Sequence, residues 1–246
     1  MEQTIYWKMD RMEQEHWWFV SRRSIIETIL QSQLHTIGPH SKILDAGCGT
    51  GGNLDMLSQL GCEVIGLEME QDAAEIARSK SGKSVYMGSL PDQVPFSDES
   101  FDLIVLLDVL EHIEDDLGTL ASLTSKLKPG GSLLITVPAF SFLWSNHDES
   151  HHHKRRYRLH ELVGKMQHCN LQPKHASYFN TWLFPVIAFV RILQKKLGFM
   201  RKSDDLSMPS PFINKLLTGV MSSERHILKH SKLPFGVSIM AIGQKL

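Results

Sequence analysis

A glycine-rich run at residues 47–52 is the first part of the sequence whose residue types could serve a ligand. It reads GCGTGG and directly follows a short apolar segment that ends at Asp45 and Ala46. Glycines let the backbone pass close to a ligand, and a helix that begins after such a loop offers free N–H groups. Glu68 ends the next apolar segment, and a carboxylate there can accept hydrogen bonds from a ribose diol. These features predict a site for a nucleoside cofactor.

The loop by itself leaves the identity of the cofactor open. Gly47, Gly49 and Gly52 also satisfy the GxGxxG pattern of NAD-binding loops, and a glycine-rich turn without a ligand has the same composition. Asp45 argues against NAD, because NAD loops usually carry an apolar or small residue before the first glycine. The decision therefore rests on the rest of the chain.

Apolar segments that alternate with helical ones must position this loop. Continuous apolar runs predict buried strands, and apolar residues at helical spacing predict the helices between them. This order predicts an α/β fold with a doubly wound, mostly parallel seven-stranded sheet and a site at the carboxyl ends of its strands. The predicted strands are 42–45, 64–67, 84–87, 101–107, 133–137, 171–178 and 237–244. The predicted helices are one that includes residues 25–34 and stops at Gly38, and those at 53–60, 70–79, 115–127, 181–199 and 212–229.

Size and composition agree with an ordinary globular domain. The chain has 246 residues, of which 42% are apolar and 22% charged, a profile that excludes disordered, collagen-like and coiled-coil proteins. Cys48, Cys62 and Cys169 form no CxxC pair and are odd in number, which indicates reduced thiols. With no basic-then-apolar signal segment at the start, we expect a cytoplasmic protein.

Four segments together resemble the class I S-adenosylmethionine (SAM)-dependent methyltransferases, in particular the quinone-biosynthesis-like branch and the methyltransferase type 11/23-like subgroup. They read ILDAGCGTGGN, VIGLE, FDLIVLLDVLEHIED and LKPGGSLLITVP, and they cover residues 41–138. The resemblance implies SAM as cofactor and a Rossmann-like methyltransferase fold in a single domain over 1–246. Its parts would be an N-terminal helical arm at 1–38, a SAM-binding half at 39–140, and a substrate-side half at 141–246 with a helical cap insertion at about 180–230.

The resemblance also implies contacts to SAM, position by position. Asp45 would fix the glycine loop or receive the SAM amino group, and Glu68 would hold the ribose hydroxyls. Ser89 stands where the family often has an acidic residue for the adenine amine, so a serine oxygen or a backbone carbonyl would take that contact. The other implied contacts are three loop glycines beside the methionine half and ribose, a residue packed on the adenine and two residues beside the sulfonium: Gly47, Gly49, Gly51, Met69, Leu107 and Asp108.

The N-terminal arm offers two interpretations. Its run HWWFVSRR resembles the same subgroup, and an arginine there could clamp the SAM carboxylate. Arg22 is the preferred candidate over Arg23. The aromatic residues around it, together with Tyr6 and Trp7, could equally pin the arm to the sheet, which is the more common role of such residues.

Histidines after the fifth strand are the candidates for work on the methyl acceptor. Methyl transfer is an in-line displacement, so the protein mainly aligns the reactants, and a hydroxyl acceptor also gains from a general base. The run NHDESHHHKRRY resembles an HD pair followed by HxRRY in a subgroup of these enzymes. His147 is the first candidate and His153 the second, and Asp148 could orient either imidazole. A polar hinge with ion pairs among Asp148, Arg155 and Arg156 explains the run equally well.

Three consecutive histidines at 151–153 raise the question of a metal. Side chains at positions i, i+1 and i+2 do not face one another on a helix. The spacing from Asp148 to this run also matches no zinc-binding pattern. We therefore expect no metal site from the sequence.

A basic block lies in one part of the chain. Residues 151–202 carry eleven lysines and arginines but only one acidic residue, Glu161. The block surrounds the most apolar run, residues 182–190, which is too short to span a bilayer. This run could be core, or it could lie on the inner face of a membrane, where basic side chains add attraction to anionic head groups. Peripheral membrane contact through 180–202 is therefore an expectation beside the core interpretation.

Two classes of function remain after these observations. The first is a SAM-dependent methyltransferase acting on a small-molecule, lipid-linked or glycan-linked acceptor, with help from histidine if the target atom is oxygen. The second is a non-catalytic SAM-binding regulatory module, which the intact glycine loop and Glu68 disfavour. NAD and nucleic acid are less favoured ligands; for nucleic acid, no NPPY-like base-flipping tetrapeptide is present and the aromatic residues cluster with aliphatic ones.

Overall fold

Seven strands form one sheet in the computed structural model, which describes residues 10–34, 37–197 and 207–246. In chain order the strands are β1 (Lys42–Ala46), β2 (Glu63–Glu68), β3 (Ser84–Met87), β4 (Phe101–Leu107), β5 (Leu127–Pro138), β6 (Leu171–Phe179) and β7 (Ser238–Lys245). Their order across the sheet is β3-β2-β1-β4-β5-β7-β6, and β7 runs antiparallel to both of its neighbours. The prediction of a doubly wound, mostly parallel seven-stranded sheet is confirmed.

Helices cover both faces of the sheet. They are α1 (Trp17–Gln33), α2 (Leu54–Ser58), α3 (Gln71–Ser81), α4 (Asp116–Lys126), α5 (Asn146–Ser150), α6 (Leu159–His168), α7 (Phe184–Leu197), α8 (Pro211–Ser222) and α9 (Arg225–Leu228). A helical segment at 10–15 precedes α1, and 3-10 turns follow β4 (Leu110–His112) and β5 (Ser141–Leu143). None of the described helices is both long and apolar enough to cross a bilayer.

The buried strands have the alternation of faces that the apolar runs require. Ile43, Leu103 and Val105 pack on one face against α1, α2 and α8, while Ile104 and Leu106 pack on the other face against α4 and α6. Each of these side chains is completely buried. A parallel sheet covered on both faces places its strand ends, rather than its faces, within reach of ligands.

The strands agree closely with the sequence predictions except at β5. The prediction began this strand at residue 133, whereas the sheet already pairs Leu127 with Phe101. The register shifts before Ser132 pairs with Leu103, because the segment with Gly130 bulges out of the ladder at a positive φ of 76°. Gly130, which the sequence suggested as part of a turn before the strand, therefore lies inside β5.

The helices of the second half depart further from the predictions. Helices α5 and α6 were not predicted, and the single helix expected at 212–229 is divided into α8 and α9. The division falls next to Glu224, whose buried carboxylate accepts the backbone N–H groups of Thr181 (2.7 Å) and Trp182 (2.9 Å). Tyr6, Trp7 and residues 198–206 of the predicted arm and cap lie outside the described residues.

The arm and the cap are joined to each other. Asn214 of α8 accepts the N–H of Trp17 and donates to the carbonyl of Glu15, both at 2.8 Å. Ser21 of α1 donates to the carbonyl of Thr218. These bonds, far apart in sequence, fix the start of α1 over the carboxyl ends of β1 and β4, so the arm becomes a wall of the candidate site.

Candidate functional site

Glu68 ties the glycine loop to the end of β2. One carboxylate oxygen accepts the N–H of Gly49 at 2.8 Å, and the other accepts the N–H groups of Met69 (2.9 Å) and Glu70 (3.0 Å). The side chain is buried. A carboxylate offers about four acceptor sites, so Glu68 keeps acceptor capacity for a hydroxyl group at the mouth of the loop.

Two glycines of the loop are required by their neighbours. Gly47 has a φ of 77°, and a Cβ there would come within 2.7 Å of the Val109 side chain. Gly51 has a φ of 84°, and a Cβ there would lie 3.1 Å from Ala77 of α3. The left-handed backbone and these close approaches exclude other residues. Gly51 thus serves helix packing, a role that the sequence interpretation did not separate from ligand contact.

Asp45 is a buried carboxylate without a partner. Neither of its oxygens has a hydrogen-bond partner among the described residues. Burial raises the pKa of Asp45 to about 7, against a lowering influence of Arg22; Asn53 is near enough to lower it slightly but makes no bond of normal geometry. An unpaired buried acceptor is costly, which indicates that a donor belongs beside it.

Arg22 reaches the same place from α1 but is already engaged. Its guanidinium forms an ion pair with Asp108, lies over the Trp18 ring at 4.7 Å, and contacts Asn53 at 3.4 Å. Asp108 also accepts from Thr136 at 2.9 Å. Trp18 packs against the core, so the arm's aromatic residues do pin it to the sheet. The pairing of Arg22 with Asp108 was not predicted.

Asp108 has a strained backbone at the end of β4. Its φ is 56°, a left-handed value that few residues other than glycine adopt. Such strain persists where the surroundings over-determine it and is concentrated at functional sites. The neighbouring Leu107, in contrast, belongs to the core, and its side chain is nearly fully buried.

Glu13 is a site residue that the sequence interpretation missed. Its carboxylate accepts from the Thr50 hydroxyl at 2.6 Å and lies 4.0 Å from the ammonium of Lys80. Burial raises the pKa of Glu13, although Thr50 and Lys80 oppose that effect. No spacing rule could place Glu13 against residue 50, because the contact depends on how the arm folds over the loop.

A groove of about 530 Å³ opens beside the end of β3. Met69 lies at its edge with 64% of its surface exposed, and Ser89 contacts Gln93 at 3.3 Å. The groove combines apolar side chains with a few polar groups, which is the usual composition of a small-molecule site. The lining residues are Met69, Met87, Gly88, Ser89, Asp92, Gln93, Val94 and Pro95.

Asp148 is the centre of a buried polar network on the other side of β4. It accepts from Arg156 at 2.7 and 3.0 Å and from Nδ1 of His153 at 2.9 Å. Burial alone would raise the pKa of Asp148, but the bonds from His153 and Arg156 hold it well below its ordinary value. The hinge interpretation is therefore half right: Arg156 pairs with Asp148, whereas Arg155 pairs with Asp116 at 3.0 Å.

His147 and His153 have different surroundings. Asp148 bonds to His153, while Nδ1 of His147 is buried with no hydrogen-bond partner in the described part of the chain. Burial lowers the pKa of His147 to about 3, helped by His151, whose ring centre lies 4.1 Å away. His147 is consequently neutral near pH 7, and Asp148 orients His153 rather than His147.

Glu111 and His112 connect the two halves of the site. They lie on the 3-10 turn after β4, three and four residues beyond Asp108. Burial raises the pKa of Glu111 well above its ordinary value, and the carboxylate of Asp108 adds to this. The His112 ring contacts the His153 ring edge to face at 4.6 Å between centres. Neither residue was assigned a function from the sequence.

Solved structures share this architecture. Geranyl diphosphate C-methyltransferase from Streptomyces coelicolor superposes with a TM-score of 0.62 at 14% identity, over 90% of this chain and 78% of that one. Phosphoethanolamine N-methyltransferase 2 from Haemonchus contortus gives 0.59 at 18% identity, over 89% and 52%. At such low identity the likeness shows the fold. The fold is that of the class I SAM-dependent methyltransferases.

The sequence comparisons supply the family. The methyltransferase domain family matches residues 19–183, so this chain belongs to that family. Among curated relatives, the ubiquinone biosynthesis O-methyltransferase of Aliivibrio fischeri is 30% identical over 149 residues, which is 58% of each chain. The chain thus spans little more than half the length of that relative.

The residues at the strand ends fit SAM, the cofactor of this class. SAM carries a protonated amino group, a ribose diol and an adenine ring. Asp45 offers an unpaired buried carboxylate for a cation, Glu68 keeps an acceptor for a hydroxyl, and the groove at Met69 has room for a flat ring. The donor that Asp45 lacks is of the kind that SAM would bring.

Titration of Asp45 should leave a signature in the stability of the protein without ligand. Because its folded pKa of about 7 exceeds its ordinary value of 3.8, the stabilising contribution is complete below about pH 4 and is lost as the pH rises towards 7. The Asp45→Asn variant does not ionise there. Its free energy of unfolding, measured by urea denaturation, should rise relative to that of the wild type between pH 5 and pH 8.

Asp55→Asn, on the exposed face of α2, is the matched control and should show no such trend. Titrating groups that do not interact with Asp45 are common to these proteins and cancel in the difference. A constant difference between Asp45→Asn and wild type across this pH range would show that Asp45 has an ordinary pKa.

Proposed function

We propose that this protein transfers a methyl group from SAM to a small-molecule or lipid-linked acceptor. The observation that carries the proposal is the position of Asp108 and Glu111 at the end of β4, with the unpaired Asp45 on one side and the Asp148–His153 pair on the other. SAM supplies a methyl group on a positively charged sulfur. The protein's work is to bind, align and exclude water.

The proposed cofactor contacts follow the strand ends. Asp45 would hold the amino group, Glu68 a ribose hydroxyl, and Met69 and Ser89 the adenine. Arg22 has donors left beyond those used by Asp108 and Asn53, since a guanidinium carries five, so it could also hold the SAM carboxylate. The backbone of Gly47, Gly49 and Gly51 would pass beside the methionine half, and Leu107 and Asp108 beside the sulfur.

We assign the hydrogen-bonded pair Asp148 and His153 to the activation of the acceptor. Because Nδ1 of His153 donates to Asp148, its Nε2 carries a lone pair directed away from that carboxylate. Such a lone pair can assist removal of a proton from an acceptor hydroxyl. His147, whose pKa is about 3, is a weak base and we assign it a place in the wall of the acceptor site.

The nature of the acceptor is indicated by helix α7, which exposes apolar side chains on its outer side. On α7 the side chains that face away from the protein are apolar: Val186 (65% exposed), Phe189 (67%), Val190 and Leu193. They recur at helical spacing and form one stripe, while Ala188 faces inward and packs against Leu143. A helix on the surface of a soluble protein normally exposes polar side chains to water. The exposed apolar stripe of α7 is instead suited to contact with a lipid surface or a lipophilic molecule.

Helix α7 is attached directly to the acceptor side. Arg191 donates to the carbonyl of Leu143 at 2.7 Å, four residues before His147. The core interpretation of the run 182–190 therefore fails for its outward residues, of which Trp182 is also 46% exposed. Part of the basic block is used internally, in the ion pairs of Arg155 and Arg156.

These features support a lipophilic, hydroxyl-bearing acceptor at an anionic membrane surface. Lys195 remains exposed on α7 to meet negative head groups, and residues 198–202 lie outside the described residues. The name of the Aliivibrio fischeri relative, which refers to O-methylation in ubiquinone biosynthesis, agrees with such an acceptor. The protein would then work at the inner face of a membrane.

Turnover tests the catalytic part of the proposal. Purified protein with SAM should form S-adenosylhomocysteine with lipid extracts or quinols, and less with sugar nucleotides. With an acceptor identified, His153→Ala should lower the turnover number by about 10²–10⁴-fold, the usual value of a positioned histidine, and leave SAM affinity within a few-fold. His147→Ala should lower it less.

The matched control is His152→Asn, an exposed member of the same run whose left-handed backbone (φ 56°) asparagine tolerates. It should turn over like the wild type. A wild-type turnover number in His153→Ala would show that the segment around Asp148 and His153 has only a structural role. A protein that binds SAM but methylates nothing in the panel would favour the regulatory module instead.

Vesicle sedimentation tests the membrane contact. Anionic vesicles should bind the protein at low salt and bind it less at high salt, because each exposed basic residue near the surface contributes about 1 kcal/mol that ions screen. Phe189→Asp should abolish binding, whereas Leu117→Asp, at an exposed leucine on α4, should not. Equal sedimentation of the two variants, or none by the wild type, would contradict a role for the α7 stripe.

A further inference from the structure

Three potential metal ligands converge between β4 and α6. A carboxylate oxygen of Glu111 and one ring nitrogen each of His112 and His153 lie within 4.8 Å of one another. Glu111 and His112 follow β4 directly, whereas His153 comes from the segment after α5. A backbone bond from the N–H of Lys154 to the carbonyl of Glu111, at 2.7 Å, holds the two segments together. Sequence spacing could not reveal this cluster.

The Glu111 carboxylate is available for a ligand. Only 1% of the residue's surface is exposed, and its Oε2 is buried with no hydrogen-bond partner in the described ranges. A buried, unpaired carboxylate oxygen is costly unless a cation or donor meets it. None of the contacts proposed above for SAM or the acceptor involves this oxygen. The lack of a donor or cation next to it therefore points to a separate ligand.

Each of the two histidines brings a ring nitrogen close to the Glu111 carboxylate. Nδ1 of His153 bonds to Asp148 at 2.9 Å, which leaves Nε2 with its lone pair free. This is the carboxylate–histidine arrangement that commonly lies behind a metal-binding imidazole, because it fixes the tautomer and the ring orientation. The ring of His112 meets the His153 ring edge to face, with 4.6 Å between the ring centres.

We propose that Glu111, His112 and His153 bind a divalent transition-metal ion, with zinc the best fit. One carboxylate and two imidazoles are the ligand set of catalytic zinc sites that keep a further position open. Imidazole nitrogens favour zinc over magnesium and calcium, which prefer oxygen. Donors in a tetrahedral zinc site are about 3.3 Å apart, so these side chains, now within 4.8 Å of one another, would close by up to about 1.5 Å on binding.

The ion would act on the acceptor, and this role rests on the proposed methyl transfer, whereas the binding itself does not. The site lies beside Asp108, where the acceptor must approach. An acceptor hydroxyl at the open position would be oriented and would lose its proton to water more easily. His153 would then assist the acceptor through the ion instead of taking the proton itself.

Metal binding can be measured without SAM or an acceptor. Protein treated with a chelator should take up one Co²⁺ per chain with the strong visible absorption of a four-coordinate site, and Zn²⁺ should displace it. Glu111→Gln and His153→Ala should weaken Co²⁺ binding by at least about tenfold, and Asp148→Asn by about 10–100-fold. Mg²⁺ should not compete.

Controls separate this site from the other histidines and from the proposed function. His152→Asn should bind Co²⁺ like the wild type, and every variant should unfold cooperatively in urea, which shows that it folds. Binding that is equal in His152→Asn, Glu111→Gln and His153→Ala, or absent from the wild type, would overturn the proposal. Because no acceptor is needed, a protein without methyltransferase activity would leave this result intact.

Discussion

The bond between Gly49 and Glu68 is the constraint on which the rest of the site depends. It joins the loop after β1 to the end of β2, and two further N–H groups hold the same carboxylate in place. Parallel strands bring their carboxyl ends to one edge of the sheet. The hydrogen bonds to Glu68 then hold the glycine loop in one position at that edge. Every other group of the cofactor side, including Asp45, is placed relative to this loop.

The site concentrates acidic side chains that the fold pairs only in part. Glu13, Asp45, Asp108 and Glu111 surround one ion-paired arginine, Arg22, and burial raises the pKa of three of these carboxyls. Structural carboxylates are normally paired, as Asp148 is. A set of buried, under-satisfied carboxyls beside a strained strand end is therefore matched to positively charged ligands, which agrees with a sulfonium cofactor and with a metal ion.

The sequence was sufficient to predict the strands and the site residues that depend on neighbouring positions in the chain. It was insufficient to predict the features that depend on tertiary contacts. Continuous apolar runs predicted β3 and β4 to the residue, and the glycine loop with Glu68 followed from strand-then-loop order. The approach of Glu13 to Thr50 and the meeting of Glu111 with His153 were beyond prediction, because each joins segments tens of residues apart. Asp148 and His153 are only five residues apart, but the choice of His153 over His147 depends on how the turn after α5 places the two rings. The outward apolar face of α7 also needed the fold, since periodicity does not tell which side of a helix is covered.

Calorimetric titration of the purified protein with SAM and with NAD tests the central claim most directly. We expect micromolar or tighter binding of SAM and none of NAD. Glu68→Ala should weaken SAM by about 1–3 kcal/mol, the cost of losing charge-assisted hydrogen bonds in a buried site, while Glu63→Ala at the exposed start of the same strand should not. Binding of NAD without SAM, or equal SAM affinity in Glu68→Ala and wild type, would contradict the account.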